Sequence, residues 1–243
     1  MSVTLAQPMV FAGGSATTQA FTLGSPPTPG NLILAGMSGN DNGSVPASMR
    51  ALFADSTPSN SALYAAYRRV QPGDPAGPYT FTGFSTGWDG GGFICELAGA
   101  GIPSVFAEGN SNWTLTSPNT TQAANNTLTT LAGSLIIELY VVYTAANNYA
   151  QGADTINQSF VIVSHGALAT TATNRQYQVI ATRSDASGST ANPAAVMPNV
   201  GTGTSPQSQM GIVIPPGNSG GNGSVASCYG NIFAGFPNFP RAL

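Results

Sequence analysis

The chain has 243 residues, of which 42% are hydrophobic and 6% are charged, with 30 glycines, 18 prolines and a formal net charge of −3. An ordinary globular domain carries roughly 25% charged residues. Here there is no lysine, a single histidine (His165), and three glutamates, Glu96, Glu108 and Glu138. This composition removes most acid–base, metal and phosphate chemistry, and no cluster of cations offers a nucleic acid or an anionic membrane a reason to bind.

The frequent Gly and Pro oppose long helices, and the abundance of Val, Ile, Thr and aromatics predicts packed strands. In chain order, Leu32-Ile33-Leu34-Ala35 follows a Pro29-Gly30 turn. Residues 62–70 could be helical, but Pro58 and Pro72 bracket them closely and favour a strand. Tyr79-Thr80-Phe81-Thr82 alternates cleanly, and residues 93–97 end at Gly99-Ala100-Gly101. Further strands are expected at residues 113–116, 135–143, 160–163, 177–182, 212–214 and 225–229. Short β-rich runs separated by Gly, Pro and Asn read as an antiparallel sandwich or barrel. Residues 199–208 and 215–224, rich in Gly, Ser, Thr and Pro, read as long loops. No domain boundary is evident, so residues 1–243 read as one β-sandwich domain. Pro29-Gly30-Asn31-Leu32-Ile33-Leu34 is echoed by Ala132-Gly133-Ser134-Leu135-Ile136-Ile137, which suggests two equivalent long strands, each begun by a turn glycine.

The order of elements across residues 30–99 resembles the jelly-roll β-sandwich domains of tailed-phage virion proteins and related bacterial surface proteins. The resemblance rests on Gly30 to Leu34, Tyr67-Arg68-Arg69-Val70, Gly73-Asp74-Pro75, residues 79–82, Trp88 and Phe93-Ile94-Cys95-Glu96-Leu97-Ala98-Gly99. It extends to the strand beginning at Gly133. It implies an all-β, antiparallel jelly-roll sandwich with long Gly/Ser/Pro loops. It also implies a virion role, and one compact domain without a fibrous repeat, a coiled-coil heptad or an evident anchoring domain favours a non-enzymatic capsid decoration (cement) protein on the capsid surface over a tail component. Its partners would then be copies of itself and the major capsid protein. No basic segment leads into an apolar stretch at the N-terminus, so synthesis in a host cytoplasm is expected, with Cys95 and Cys228 as free thiols.

Each chemical constellation has a plainer counterpart. His165, with Asp154 and Asp185 the nearest acids in sequence, lacks a nucleophile motif and reads as a hydrogen-bonded or surface residue at a strand end. Glu96 and Glu138 each interrupt an apolar strand and could converge as glycosidase carboxylates. The simpler expectation is that each points outward or pairs with Arg68 or Arg69; if the Glu96 carboxylate is instead partly buried among Phe93, Ile94 and Leu97, Glu96→Gln could even stabilise. Asp41, in Asn40-Asp41-Asn42-Gly43, could serve a calcium loop but reads better as an Asx turn. Trp88 and Asp89, in a glycine-rich loop, and Trp113 are candidate glycan contacts of an adhesin, the alternative function. No cofactor is expected. Weak charge repulsion favours a homo-oligomer, such as a trimer, and Phe233, Phe236 and Phe239 make residues 231–243 a candidate docking tail.

Overall fold

The computed structural model describes residues 1–15, 17–39, 43–54, 62–84, 89–115, 119–123, 127–144, 154–167, 175–191, 193–198 and 203–217, all in strands, turns and irregular segments. Residues up to 98 supply β1 (Thr4–Leu5), β2 (Val10–Ser15), β3 (Thr18–Phe21), β4 (Leu32–Gly39), β5 (Arg50–Ala54), β6 (Ala62–Arg69), β7 (Tyr79–Thr82) and β8 (Asp89–Ala98). Later residues supply β9 (Ser104–Leu115), β10 (Asn119–Ala123), β11 (Leu128–Thr129), β12 (Ser134–Thr144), β13 (Thr155–Ile156), β14 (Val161–Ala167), β15 (Arg175–Asp185), β16 (Thr190–Ala191), β17 (Ala194–Pro198) and β18 (Gly203–Ile214). Every ladder is antiparallel.

Two main sheets carry the fold. The first runs β1-β8-β4-β6-β5, with β2 also paired to β8, and the second runs β14-β15-β12-β18-β9. Alternation along the strands decides what lies between them. Leu32, Leu34, Phe93, Cys95 and Leu97 from the first sheet meet Leu135, Ile137, Leu139, Ile180, Met210 and Ile212 from the second. Each such fully buried aliphatic or aromatic side chain contributes ~1.5–3 kcal/mol. The intervening residues face outward but are covered as well. Ile33, Ala35, Met37 and Ile94 pack with Phe21, Tyr79 and Phe81 of the two-stranded β3–β7 sheet. On the second sheet, Ile136, Ala181 and Val213 lie under Leu128 and Ala191 of β11–β16, while Tyr140, Val142 and Val179 meet Ala195 of the β10-β17-β13 sheet. Buried on both faces, β4 and β12 therefore read as continuous apolar runs rather than alternating ones.

The two halves of the chain repeat one pairing scheme. In the first, β2 pairs β8, β3 pairs β7, β4 pairs β6 and β8, and β5 pairs β6. In the second, β9 pairs β18, β10 pairs β17, β12 pairs β15 and β18, and β14 pairs β15. Registers repeat too. Leu32 is flanked by Arg69 and Leu97, and Leu135 by Ser184 and Ile214. The β5–β6 ladder slips between Ala51 and Phe53, and the β14–β15 ladder between Ile162 and Ser164. Gly30 and Gly133, at φ 89° and 85°, make the matching turns into β4 and β12, a conformation that a side chain would strain. Gly30 N–H donates to Val70 O at 3.0 Å, and Gly133 N–H to Asp185 O at 2.6 Å. The sequence echo at residues 29–34 and 132–137 thus marks the central strands of two separate sheets.

Two sequence expectations are corrected. Residues 203–208 belong to β18 rather than to a long loop, where they pair with β9. Pro206 is tolerated because β12 pairing stops at Gln207, so only β9 flanks the strand there. Asp89 and Gly90-Gly91-Gly92 likewise open strand β8 instead of forming a loop. Gly92 fits there because the β4 backbone is so close that a Cβ on it would lie 2.0 Å from Gly36 O.

Candidate functional site

Glu96 is 1% exposed and faces away from the inter-sheet core. Its Oε1 accepts Thr28 N–H at 2.8 Å and Asn31 Nδ2 at 2.6 Å, and its Oε2 accepts Gln7 Nε2. Gln7 is held in turn by Ser25, whose N–H donates to Gln7 Oε1 at 3.0 Å. One carboxylate therefore ties the N-terminal segment and residues 25–31 to the first sheet. Burial alone would raise its pKa, but the donors from Asn31, Thr28 and Gln7 outweigh it and hold the carboxyl below its usual range. The expected outward orientation or pairing with Arg68 or Arg69 does not occur. Arg68 binds Asp74, with Nε to Oδ2 at 3.0 Å, and Arg69 Nη1 donates to Gly30 O and Ala100 O at 3.1 and 3.0 Å. Loop closure decided this: the turn entering β4 brings uncharged donors over a position that alternation alone would leave to solvent.

Glu138 is also buried, at 0% exposure, and so is likewise not an outward-pointing residue. It lies on the outer side of β12 beneath Leu128 of β11. Gln209 Nε2 approaches its Oε2 at 3.4 Å, and its Oε1 has no hydrogen-bond partner among the described residues. Desolvation pushes this carboxyl up to about 8. Beside it, Tyr140 is raised by burial and by the Glu138 charge, and its hydroxyl donates to Pro193 O at 2.9 Å. Glu96 and Glu138 thus occupy the outer sides of different sheets, with the inter-sheet core between them. They do not converge on one sugar ring.

His165 Nδ1 lies 2.6 Å from Asp154 Oδ2; the histidine side chain is 32% exposed and the aspartate side chain fully buried. This agrees with a hydrogen-bonded histidine, here on the edge strand β14. An aspartate so placed orients an imidazole, which supplies two of the three members of a triad. Asp89 and Trp113 sit at the same end of the sandwich, the end where Ser38 Oγ of β4 bonds Gln176 Oε1 of β15 at 2.9 Å across the sheets. There they stand on different strands: β8 faces β15, whereas β9 faces β5 and β6. Trp88, Asp41, Cys228, Phe233, Phe236 and Phe239 lie outside the described residues. Cys95 is fully buried and free, and burial raises its thiol pKa. Among the described residues no group of three His, Cys, Asp or Glu side chains could hold a metal ion.

Two polar clusters escaped sequence reasoning. Between the sheets, Ser38, Gln176, Gln178 and Ser208 are all buried. At the β15–β16 turn, Asp185 accepts Ser189 Oγ at 2.5 Å, Thr130 Oγ1 at 2.6 Å and the N–H groups of Ser187 and Gly188. Ser189 and Thr130, assisted by Ser187 and Arg183, overcome burial and hold its carboxyl at about 2. The only advance signal for that second cluster was its Asp-Ala-Ser-Gly-Ser turn composition. Comparison with known proteins finds no family model, no curated protein and no solved structure that matches this chain.

Proposed function

We propose that this chain is a non-enzymatic structural protein of a tailed-phage virion, a capsid decoration protein in which each half is an abbreviated jelly roll. The pairing scheme supports the fold part of this reading. In each half one early strand (β2 or β9) pairs the last, the next (β3 or β10) pairs the penultimate in a covering layer, and β4 or β12 pairs an inner strand, as in a long hairpin rolled up on itself. The observation that carries the functional part is how the few charged groups are used. Glu96, Arg68, Arg69, Asp74, Arg183 and Asp185 all fasten turns and chain segments to the sheets. A coat subunit needs that kind of internal fastening, and a neutral Ser, Thr, Asn and Gln surface permits close packing of copies. Its partners would be further copies of itself, as a trimer, and the major capsid protein.

The test is the position of the chain in an electron-microscopy map of intact particles. Density for this double-sheet fold on the outer capsid surface is the expected result. Absence of the chain from purified virions would refute the reading, and density confined to the tail would transfer it to the alternative. That alternative, a glycan-binding tail or surface adhesin, draws on the placement of Asp89 and Trp113 at one end of the sandwich. Glycan-array binding that is lost in Trp113→Ala would favour it. A glycosidase built on Glu96 and Glu138 draws no support from their opposed positions.

A further inference from the structure

The repeat between the halves isolates one residue that the architecture does not require. In the first sheet a row across three strands reads Ala66, Ala35, Ile94. The equivalent row of the second sheet reads Ala181, Glu138, Gly211. The alanine is kept, while an Ala–Ile pair is replaced by a Glu–Gly pair. The exchange conserves space: a Cβ on Gly211 would lie 2.6 Å from Glu138 Oε1 and 3.0 Å from both Leu128 methyl carbons. The carboxyl thus fills the room that the isoleucine takes in the first half, and Leu128 of the two-residue strand β11 closes over it.

We propose that Glu138 is a proton-dependent clasp for the β11–β16 cover: protonated, it lets Leu128 seal the outer side of the second sheet, and ionised, it drives that cover open to admit water. The physical reason is the cost of a buried carboxylate without adequate donors. Gln209 Nε2 is 3.4 Å from Oε2, Oε1 lacks a partner among the described residues, and the Tyr140 hydroxyl is directed to Pro193 O. Among the described residues the groups around it offer no compensating cation. From β15 the facing residue is Ala181, and the next charge on that side, Arg183, is bound to Ser189 and lies near Asp185 and the Phe160 ring. From β18 come Gly211 and the neutral Gln209, and from β11, β16 and β14 come Leu128, Ala191 and Ile162. His165, further along β14, is paired with Asp154. Tyr140, on β12 itself, is the titratable neighbour, and its own ionisation is disfavoured by burial and by the Glu138 charge. β11 is short: Leu128–Ala191 and Thr129–Thr190 pair it to β16, and Thr130 N–H bonds Ser189 O at 2.9 Å just beyond it.

The sign follows from the raised folded pKa. The unfolded carboxyl ionises near 4.5 and the folded one near 8, so the stabilisation is complete below 4.5 and is lost as pH rises through about 8. The experiment compares the full chain with Glu138→Gln and with the double variant Glu138→Ala/Gly211→Ile, which copies the first-half pair. Denaturant unfolding and amide hydrogen exchange are followed from about pH 5 to about pH 9. In the wild type the unfolding constant should rise on the order of 1,000-fold across that range relative to either variant. Exchange at Leu128, Thr129 and Ala191 should accelerate with pH beyond its rate in the variants. Parallel stability curves for all chains would overturn the proposal. A flattened curve without a difference in exchange at those amides would also overturn it, because the carboxyl would then act on global unfolding and not on the cover. Should Glu138→Gln fail to fold, the double variant alone carries the comparison.

Discussion

Replacing Glu96 by glutamine removes a charge without changing shape, and the geometry around it fixes what is lost. A glutamine can keep its carbonyl at the Oε1 position and still accept Thr28 N–H and Asn31 Nδ2, but its amide nitrogen then points at Gln7 Nε2, donor against donor. Gln7 cannot turn over freely to accept it. Its own Oε1 accepts Ser25 N–H at 3.0 Å and its Nε2 donates to Ser25 O at 3.2 Å, and both contacts would reverse. One hydrogen bond to a charged acceptor is lost outright, at ~1.5–3 kcal/mol, and two others fall to neutral strength. The expected destabilisation is about 3 kcal/mol at neutral pH, which for a chain of this size lowers Tm by roughly 6–12 °C. Because the folded carboxyl lies below its ordinary value, its stabilisation is present above 4.5 and is lost as pH falls through the folded pKa. The gap between wild type and Glu96→Gln should therefore close in acid. Calorimetric melts of both chains at several pH values measure this. A variant melting within about 2 °C of wild type at neutral pH, or above it, would refute the assignment of Glu96 as a fastening carboxylate.

Gly92→Ala should be among the most damaging single-methyl additions, costing ~3 kcal/mol or more, because the new Cβ would overlap the Gly36 carbonyl oxygen and the Met37 Cα in β4; thermal melting reports it. Asp185→Asn should cost roughly 2 kcal/mol at neutral pH by weakening the Thr130 and Ser189 contacts. That cost should fade as pH falls from 3.8 toward about 2, where the wild-type carboxylate itself is protonated, and urea midpoints across this range follow it. The protein should sediment as a homo-oligomer that persists at ~1 M salt, where exposed charge pairs are screened within about 3 Å. A monomer that leaves particles when salt is raised would refute this, and deleting residues 231–243 should release the protein from virions, or unfold it if that tail seals its own sandwich.

Strand content is legible in local chemistry. Alternation alone bounds Tyr79–Thr82, and the prolines around residues 62–70 favour the strand that forms there. The apolar runs of β4 and β12 and their turn glycines mark two equivalent central strands before any pairing is known. Other strands are invisible in sequence. β2, β5 and β10 are short and show no sustained apolar alternation of their own, and they become strands because β8, β6 and β17 offer edges to pair with.

Sequence by itself determined that this chain is β-rich, nearly free of charge, and marked twice by the same turn into a long apolar strand. Those properties depend on residue type and on neighbours along the chain, where backbone sterics and side-chain period act. Only the tertiary structure decided that the two strands head separate sheets, that Glu96 is gripped by donors from residues 7, 28 and 31, and that Glu138 is shut beneath Leu128 with one oxygen lacking a described partner. A carboxyl at an outward position of a strand is identical in both cases as sequence. What separates them is whether a distant segment folds over it, and whether that segment brings N–H groups or methyls.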